Sequence, residues 1–223
     1  MSNRNNSEEY IDNLVSDVHW LGHSSFRIEY KDLVIYIDPW QLQDQPKADL
    51  ILVTHDHYDH CSPEDIQKIK DENTIIVTVK AASEKLNTDI LIVRPGQKIE
   101  VKGVLIDAVP AYNINKFRSP GVPFHPKDAG YVGFIIKLDK RIIYHAGDSD
   151  SIPEMRSINT DVALLPVSGI YVMTSDEAAE AAVKINPSVA VPMHVGRGIG
   201  SKSDAANFKD ISPCDVRILP IEE

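Results

Sequence analysis

The chain has 223 residues, 43% of them hydrophobic, and a domain of this size buries roughly 70% of its unfolded surface. Its net charge of -10 repels phosphate backbones, so nucleic acid is not the expected partner. No apolar run approaches the roughly 18 residues of a membrane span, the opening MSNRNNSEEY lacks the apolar core of a secretion signal, and Cys61 and Cys214 make no disulfide framework. The expectation is one cytoplasmic domain spanning 1–223 and acting on a small molecule, with no membrane partner and oligomerisation left open.

Residues 1–16 are polar and read as a frayed or weakly helical extension. Then VHWLGHSSFRIEY (18–30) and LVIYID (33–38) read as a hairpin. DLILVT (49–54) is a continuous apolar run, as in a strand buried on both faces. Ser62, Pro63, Glu64 and Asp65 supply a cap, a proline at the first helical position and early acids, so a helix runs to about Lys70. Strands are expected at 75–79, 90–93, 98–101 and 104–109, with a short helix at 81–87. YVGFIIKLDKRIIYHAGD (131–148) reads as another hairpin, turning at Asp139–Lys140. DVALLPV (161–167) is a strand, and a Thr174/Glu177 capping box opens a helix over 174–185. A strand at 188–195, a helix at 203–210 and VRILP (216–220) close the chain.

The two halves echo each other. KDLVIYID (31–38) resembles DKRIIYHA (139–146), and ADLILVTH (48–55) resembles TDVALLPV (160–167). Two β-rich halves can bury their sheets against each other with helices outside, giving an α+β, four-layer αββα sandwich.

THDHYDH (54–60) concentrates the chemistry. At a strand end, positions i and i+2 point to one side, so His55 and His57 can grip one ion. Asp59 and His60 follow a bend and can reach a second. Asp56 and Tyr58 alternate away. Imidazole with carboxylate suits zinc first, and also iron or manganese. Asp148 follows a strand and Gly147, where its carboxylate can bridge two ions, and His194 ends another apolar strand. Cys61 reads as a buried side chain beside the site, with a ligand role as the alternative. The basic triplet Lys116–Phe117–Arg118 reads as a solvated loop.

His55, His57, Asp59 and His60 as HxHxDH, with Gly147–Asp148 and a final His194, resemble the metallo-β-lactamase superfamily. GHSSFRI, YIDPW, YHAGDSD and MTSDEAAEAA narrow the likeness to the branch of ascorbate-6-phosphate lactonase-like and uncharacterised metal-dependent hydrolases. The resemblance implies the αββα sandwich with two divalent ions, zinc foremost, between the sheet edges. It also implies a third histidine after a strand between the two motifs. Ala111, Tyr112 and Asn113 stand there instead. The one histidine between His60 and His145 is His125, in the proline-rich loop 118–130. It is read as the missing ligand, as a substrate contact, or as a plain loop residue.

Asp38 is placed to hydrogen-bond a ligating imidazole, or simply to start a turn before Pro39. His23 either lines the pocket or sits in the core. The expected chemistry is hydrolysis of an ester, lactone or phosphodiester by metal-bound hydroxide. Asp59 is expected to orient the water, and Tyr112, Asn113, His125 and His145 to stabilise charge or donate to the leaving group. The alternatives are a metal-binding but inactive interaction module, a di-iron redox protein, disfavoured by His rather than Glu at position 57, and a nuclease, disfavoured by the acidic charge.

Overall fold

The computed structural model describes residues 2–86, 88–139 and 141–222. Its first sheet has the order β1 (Val18–Gly22), β2 (Ser25–Tyr30), β3 (Leu33–Ile37), β4 (Leu50–Val53), β5 (Ile75–Thr78), β6 (Ile90–Ile92). The second sheet is built from β7 (Lys98–Val101), β8 (Val104–Pro110), β11 (Val132–Leu138), β12 (Arg141–His145), β13 (Val162–Pro166), β14 (Val189–Met193) and β15 (Asp215–Val216). Between β8 and β11, the short strands β9 (Phe117–Ser119) and β10 (Val122–Pro123) form a separate ribbon. The helices are α1 (Ser2–Val15), α2 (Pro63–Ile69), α3 (Lys80–Ser83), α4 (Ser175–Ile185) and α5 (Lys202–Ile211).

Both sheets are mixed. In the first, β1, β2 and β3 run antiparallel and β3 to β6 run parallel. In the second, β8, β11 and β12 alternate in direction, and β12 to β15 run parallel. Strands β4, β13 and β14 are buried along their whole length, as their unbroken apolar runs require. One core joins residues from both sheets with the inner faces of α2, α4 and α5. Two mixed sheets with helices packed against them make the α+β layering that was expected.

Local chemistry accounts for the helix ends. The Ser62 side chain accepts from Asp65 N, with Pro63 in the first turn. Thr174 and Glu177 close the capping box on α4.

Three expectations need correction. Residues 18–30 are not one strand: the chain reverses at His23–Ser24, so β1 and β2 are themselves a hairpin. The polar N-terminal segment is a helix, and its Ile11, Leu14 and Val15 are buried in the core. Arg141 anchors the end of α1, donating to Leu14 O at 2.8 Å and pairing with Asp17 at 2.8 Å. Of residues 216–220 only Val216 is in a strand, the two-residue β15. Lys140 of the expected turn and Asn87 of the expected third helix lie outside the described residues.

The two sheets are stitched together at one end. Val132 N donates to Thr54 O at 3.2 Å, His194 N to His23 O at 3.0 Å, and His145 Nε2 bonds Ser24 O at 2.9 Å. Each bond joins a strand end of one sheet to a strand end of the other. The histidine loop, the Gly147–Asp148 turn and the end of β14 therefore meet there.

Candidate metal centre

Two groups of four donors converge at this seam. His55, His57, His125 and Asp148 form one, and His23, Asp59, His60 and His194 the other; within each group the donor atoms lie within 4.8 Å of one another. Asp148 stands between them. Its Oδ2 is 3.2 Å from His125 Nε2 and 3.2 Å from His194 Nε2, and its Oδ1 is 3.2 Å from His60 Nε2. Gly147 makes this reach feasible. It adopts φ +61°, and a Cβ there would press on Val132 O at 2.8 Å.

The hydrogen bonds fix which nitrogen each ring presents. His60 Nδ1 donates to Asp38 Oδ2 at 2.7 Å. The Thr54 hydroxyl donates to the same oxygen at 2.7 Å, so Thr54 Oγ1 accepts from His55 Nδ1 at 2.9 Å. Asn113 Oδ1 accepts from His125 Nδ1 at 2.9 Å. The Ser168 hydroxyl donates to Ile170 O, so it accepts from His194 Nδ1 at 3.0 Å. These four rings therefore turn Nε2 inward. His57 is the exception, with Nδ1 facing His55 Nε2 at 3.2 Å and His125 Nε2 at 3.1 Å. Outer hydrogen bonds that orient imidazoles in this way are the usual support of a metal site.

The centre fits divalent cations. His23 Nδ1 and Nε2, His60 Nε2, His194 Nε2 and Asp148 Oδ1 are buried polar atoms without a hydrogen-bond partner, which a fold tolerates only for a compensating reason. A cation supplies one. The donor set of imidazoles and carboxylates, with no thiolate, matches zinc, iron or manganese.

Electrostatics point the same way. Burial lowers the pKa of His23 to about 4, and burial with the neighbouring His125 lowers that of His57 to about 4. Burial also holds His55 well below its ordinary value. All three are neutral at pH 7, as metal ligands must be. Burial raises the Asp148 carboxyl, but His194, His60 and His125 outweigh it and hold the group ionised. His60 is opposite in sign: burial disfavours its charge, yet Asp148 and Asp38 on either side raise its pKa well above the ordinary value. A cation held beside Asp148 would take the place of that proton.

The structure sorts the expected site residues. His55, His57, Asp59, His60, Asp148 and His194 are brought together. His125 joins them, reaching in from the loop to the position where a third histidine was missing. Asp38 bonds His60, rather than merely starting a turn. His23 belongs with Asp59, its Nε2 lying 3.2 Å from Asp59 Oδ2. It is fully buried, so the substrate-contact reading is corrected.

Tyr112, Asn113 and His145 are also corrected. Tyr112 OH bonds Glu154 at 2.9 Å and Lys127 at 3.2 Å, outside the centre. Asn113 spends its amide on Asp150 and Tyr171 O and its carbonyl on His125, so it positions a ring rather than meeting substrate. His145 is fully buried, accepting from Gly147 N at 3.1 Å and bonding Ser24 O. Asp56 turns away to Tyr131 OH at 2.6 Å and Lys85 at 2.8 Å. Cys61 lies by Ala82 O and is in neither donor group. Thr54 and Ser168 escaped the sequence reading; their only signal was a hydroxyl at or just beyond a strand end.

A pocket of about 380 Å³ opens over the centre. His57, Asp59, His125 and Asp148 form its floor, and Tyr58, Arg118, Phe124 and Tyr171 its walls. No helix among the described residues is long and apolar enough to cross a membrane.

Comparison with known proteins agrees with this architecture. The family model of the beta-lactamase superfamily domain matches residues 17–194. A UPF0173 metal-dependent hydrolase of Thermoplasma acidophilum is 35% identical over 212 residues, covering 86% of this chain and 89% of that protein. One from Caldivirga maquilingensis is 32% identical over 234 residues, covering 91% and 98%. Among solved structures, a candidate metal-dependent hydrolase from Parabacteroides distasonis superimposes with a TM-score of 0.82 at 32% identity, covering 92% of this chain and 93% of that one. A metallo hydrolase from Ignicoccus hospitalis gives 0.72 at 25% identity, covering 92% and 95%. The chain belongs to the metallo-β-lactamase superfamily and, within it, to the UPF0173 family of metal-dependent hydrolases.

Proposed function

We propose that the protein hydrolyses an ester, lactone or phosphodiester bond of a small substrate with the help of two divalent ions, zinc by preference. The observation that carries this reading is the position of Asp148, whose carboxylate faces His125 of one donor group and His60 and His194 of the other. His55 Nε2, His57 Nδ1 and His125 Nε2 would hold one ion, and His23, Asp59, His60 and His194 the other, with Asp148 shared. Ions so held supply Lewis acidity toward a carbonyl or phosphoryl oxygen and activate water at neutral pH.

The protein's own groups divide the remaining work. Asp59 is ionised, since His23 and His60 outweigh its burial. It lies on the pocket floor, where it orients the attacking water and takes up its proton. Asp38 and Thr54 hold the rings of His60 and His55 in place, and Asn113 holds His125, so little reorganisation accompanies the reaction. The pocket walls exclude bulk water and position the substrate. The interaction-module reading loses its main support, because it rested on a missing third histidine and His125 stands in the cluster.

Metal analysis of the purified protein, with assays on aryl esters, lactones and phosphodiesters, tests the reading. About two ions per chain, and hydrolysis abolished by chelation and restored by zinc, are expected. Full metal content without turnover of any of these classes would leave the interaction module standing.

A further inference from the structure

Arg118 is out of keeping with the rest of the surface. The chain carries a net charge of -10, which repels anions at long range. Its neighbouring cations are neutralised: Lys116 pairs with Glu177 at 2.6 Å, Lys127 with Glu154 at 2.8 Å and Lys85 with Asp56 at 2.8 Å. Arg118 has no carboxylate partner among the described residues. Its one protein hydrogen bond among the described residues runs from Nη2 to Phe124 O at 3.3 Å, which leaves most of its five N–H donors unused. Among the described residues it is the only lysine or arginine lining the pocket, above the floor formed by His57, Asp59 and Asp148.

The ribbon explains its position. Arg118 sits in the middle of β9, paired to β10 and thus held over the pocket by backbone bonds. The chain then returns through Phe124 to His125, so the segment carrying this cation also delivers a donor of the centre. The guanidinium lies 5.8 Å from the Phe124 ring. Phe124 in turn meets Tyr171 with ring centroids 4.6 Å apart, and Tyr58, 70% exposed, also lines the pocket. Tyr171 holds φ +67°, a backbone state that large side chains rarely adopt. A planar fork beside flat apolar walls is the chemistry that recognises an anionic group on an aromatic or otherwise flat body.

We propose that Arg118 sets specificity by binding a carboxylate or phosphate group on a flat, apolar substrate, at the end of the molecule away from the bond being cut. This inference rests on the hydrolase reading above for its kinetic consequence, but not for its binding consequence.

The test pairs an aryl ester bearing a carboxylate with its carboxamide counterpart, on the zinc-loaded protein. The native enzyme is expected to favour the anionic member. Arg118→Gln is expected to lower that preference by about tenfold or more, through KM rather than kcat, and Arg118→Lys to recover part of it. Calorimetric titration of the same zinc-loaded proteins with benzoate, phenylphosphonate and benzamide gives the binding arm. Benzoate or phenylphosphonate should bind the native protein more tightly than benzamide, and Arg118→Gln should weaken the anions by about tenfold with benzamide unchanged. Whichever anion binds more tightly identifies carboxylate or phosphate as the group recognised. If no ester is turned over, the hydrolase reading fails while the titration still decides the role of Arg118. Anion binding unchanged in Arg118→Gln, no anion binding to the native protein, or an equal loss for both esters would overturn the proposal.

Discussion

Asp49 and Asp161 occupy matching places in the two halves of the molecule. Asp49 N donates to Val34 O at 2.8 Å, and its carboxylate accepts from Val34 N at 3.0 Å. Asp161 N donates to Ile142 O at 2.9 Å, and its carboxylate accepts from Ile142 N at 2.7 Å. Each aspartate carbonyl then accepts from the strand after next, from Ile75 N in the first half and Val189 N in the second, both at 3.0 Å. The same hairpin precedes each aspartate, and the same parallel strands and a side-chain-capped helix follow in both. Beyond the strand ends the halves part. The first places Asp38 after β3 and the histidine loop after β4. The second places Ala146–Gly147–Asp148 after β12 and only Val167–Ser168 after β13. The repeated scaffold determines where strands end, and the unrepeated loops determine what happens there.

The sharpest way to break this asymmetry is at Asp148, the second half's carboxylate that faces both donor groups. Asp148→Ala should lower metal content in both groups at once and reduce kcat/KM by on the order of a thousandfold or more. Metal analysis and ester kinetics on the same preparation check this.

Asp38 has no polar counterpart, since Ala146 stands at the matching place. Asp38→Ala removes the acceptor for His60 and Thr54 together and should cost roughly 10- to 100-fold in metal affinity. Asn113→Ala, which unseats His125 alone, should weaken one ion by a similar factor and spare the other. Competition with a chromophoric chelator resolves the two ions.

The metal-free protein should lose stability in acid. His23, His55 and His57 have folded pKa values depressed below 6.5, two of them to about 4. Their contribution is present above pH 6.5 and is lost as pH falls toward 4, because the unfolded chain takes up the protons first. His60, with its raised value, works in the opposite sense: its contribution is complete below 6.5 and fades as pH rises through its folded value. Three groups against one give a net decline in acid. Urea midpoints of the chelated protein between pH 7 and pH 4 measure it; a midpoint that rises as pH falls contradicts the assignment.

The smallest effect tests the matching scaffold itself. Asp49→Ala and Asp161→Ala should each cost about 1–2 kcal/mol of folding stability, measured on the metal-loaded protein, with metal content unchanged. A large loss of metal in either would show that the shared scaffold also serves the site.

The parts of this design that follow short-range rules were legible in the sequence. The echo between 31–55 and 139–167 carried the layered fold, because buried strands and capped helices leave periodic traces. HxHxDH was legible because a strand end places alternate side chains on one face. His125 was not decidable: its loop has no period, and only the hydrogen bonds to Asn113 show where the ring goes. His23, open between pocket and core, was undecidable for a related reason. Gly22 and His23 adopt φ +96° and +53°, a turn that aims the ring into the centre, and nothing in SSF announces it. Tyr112 and His145 lie close to the motifs in sequence, yet each has its polar atoms engaged by groups outside the centre. Arg118 is exposed, as a solvated loop cation should be, and only three dimensions show that it stands at the pocket.

The central claim is that Asp148 joins two ion sites assembled from both halves of the chain. Anomalous diffraction from zinc-loaded crystals tests it most directly. The account predicts two peaks flanking the Asp148 carboxylate, one bound by His55 Nε2, His57 Nδ1 and His125 Nε2, the other by Asp59, His60 and His194 with His23. A single peak, or a first ion bound without His125, would contradict it.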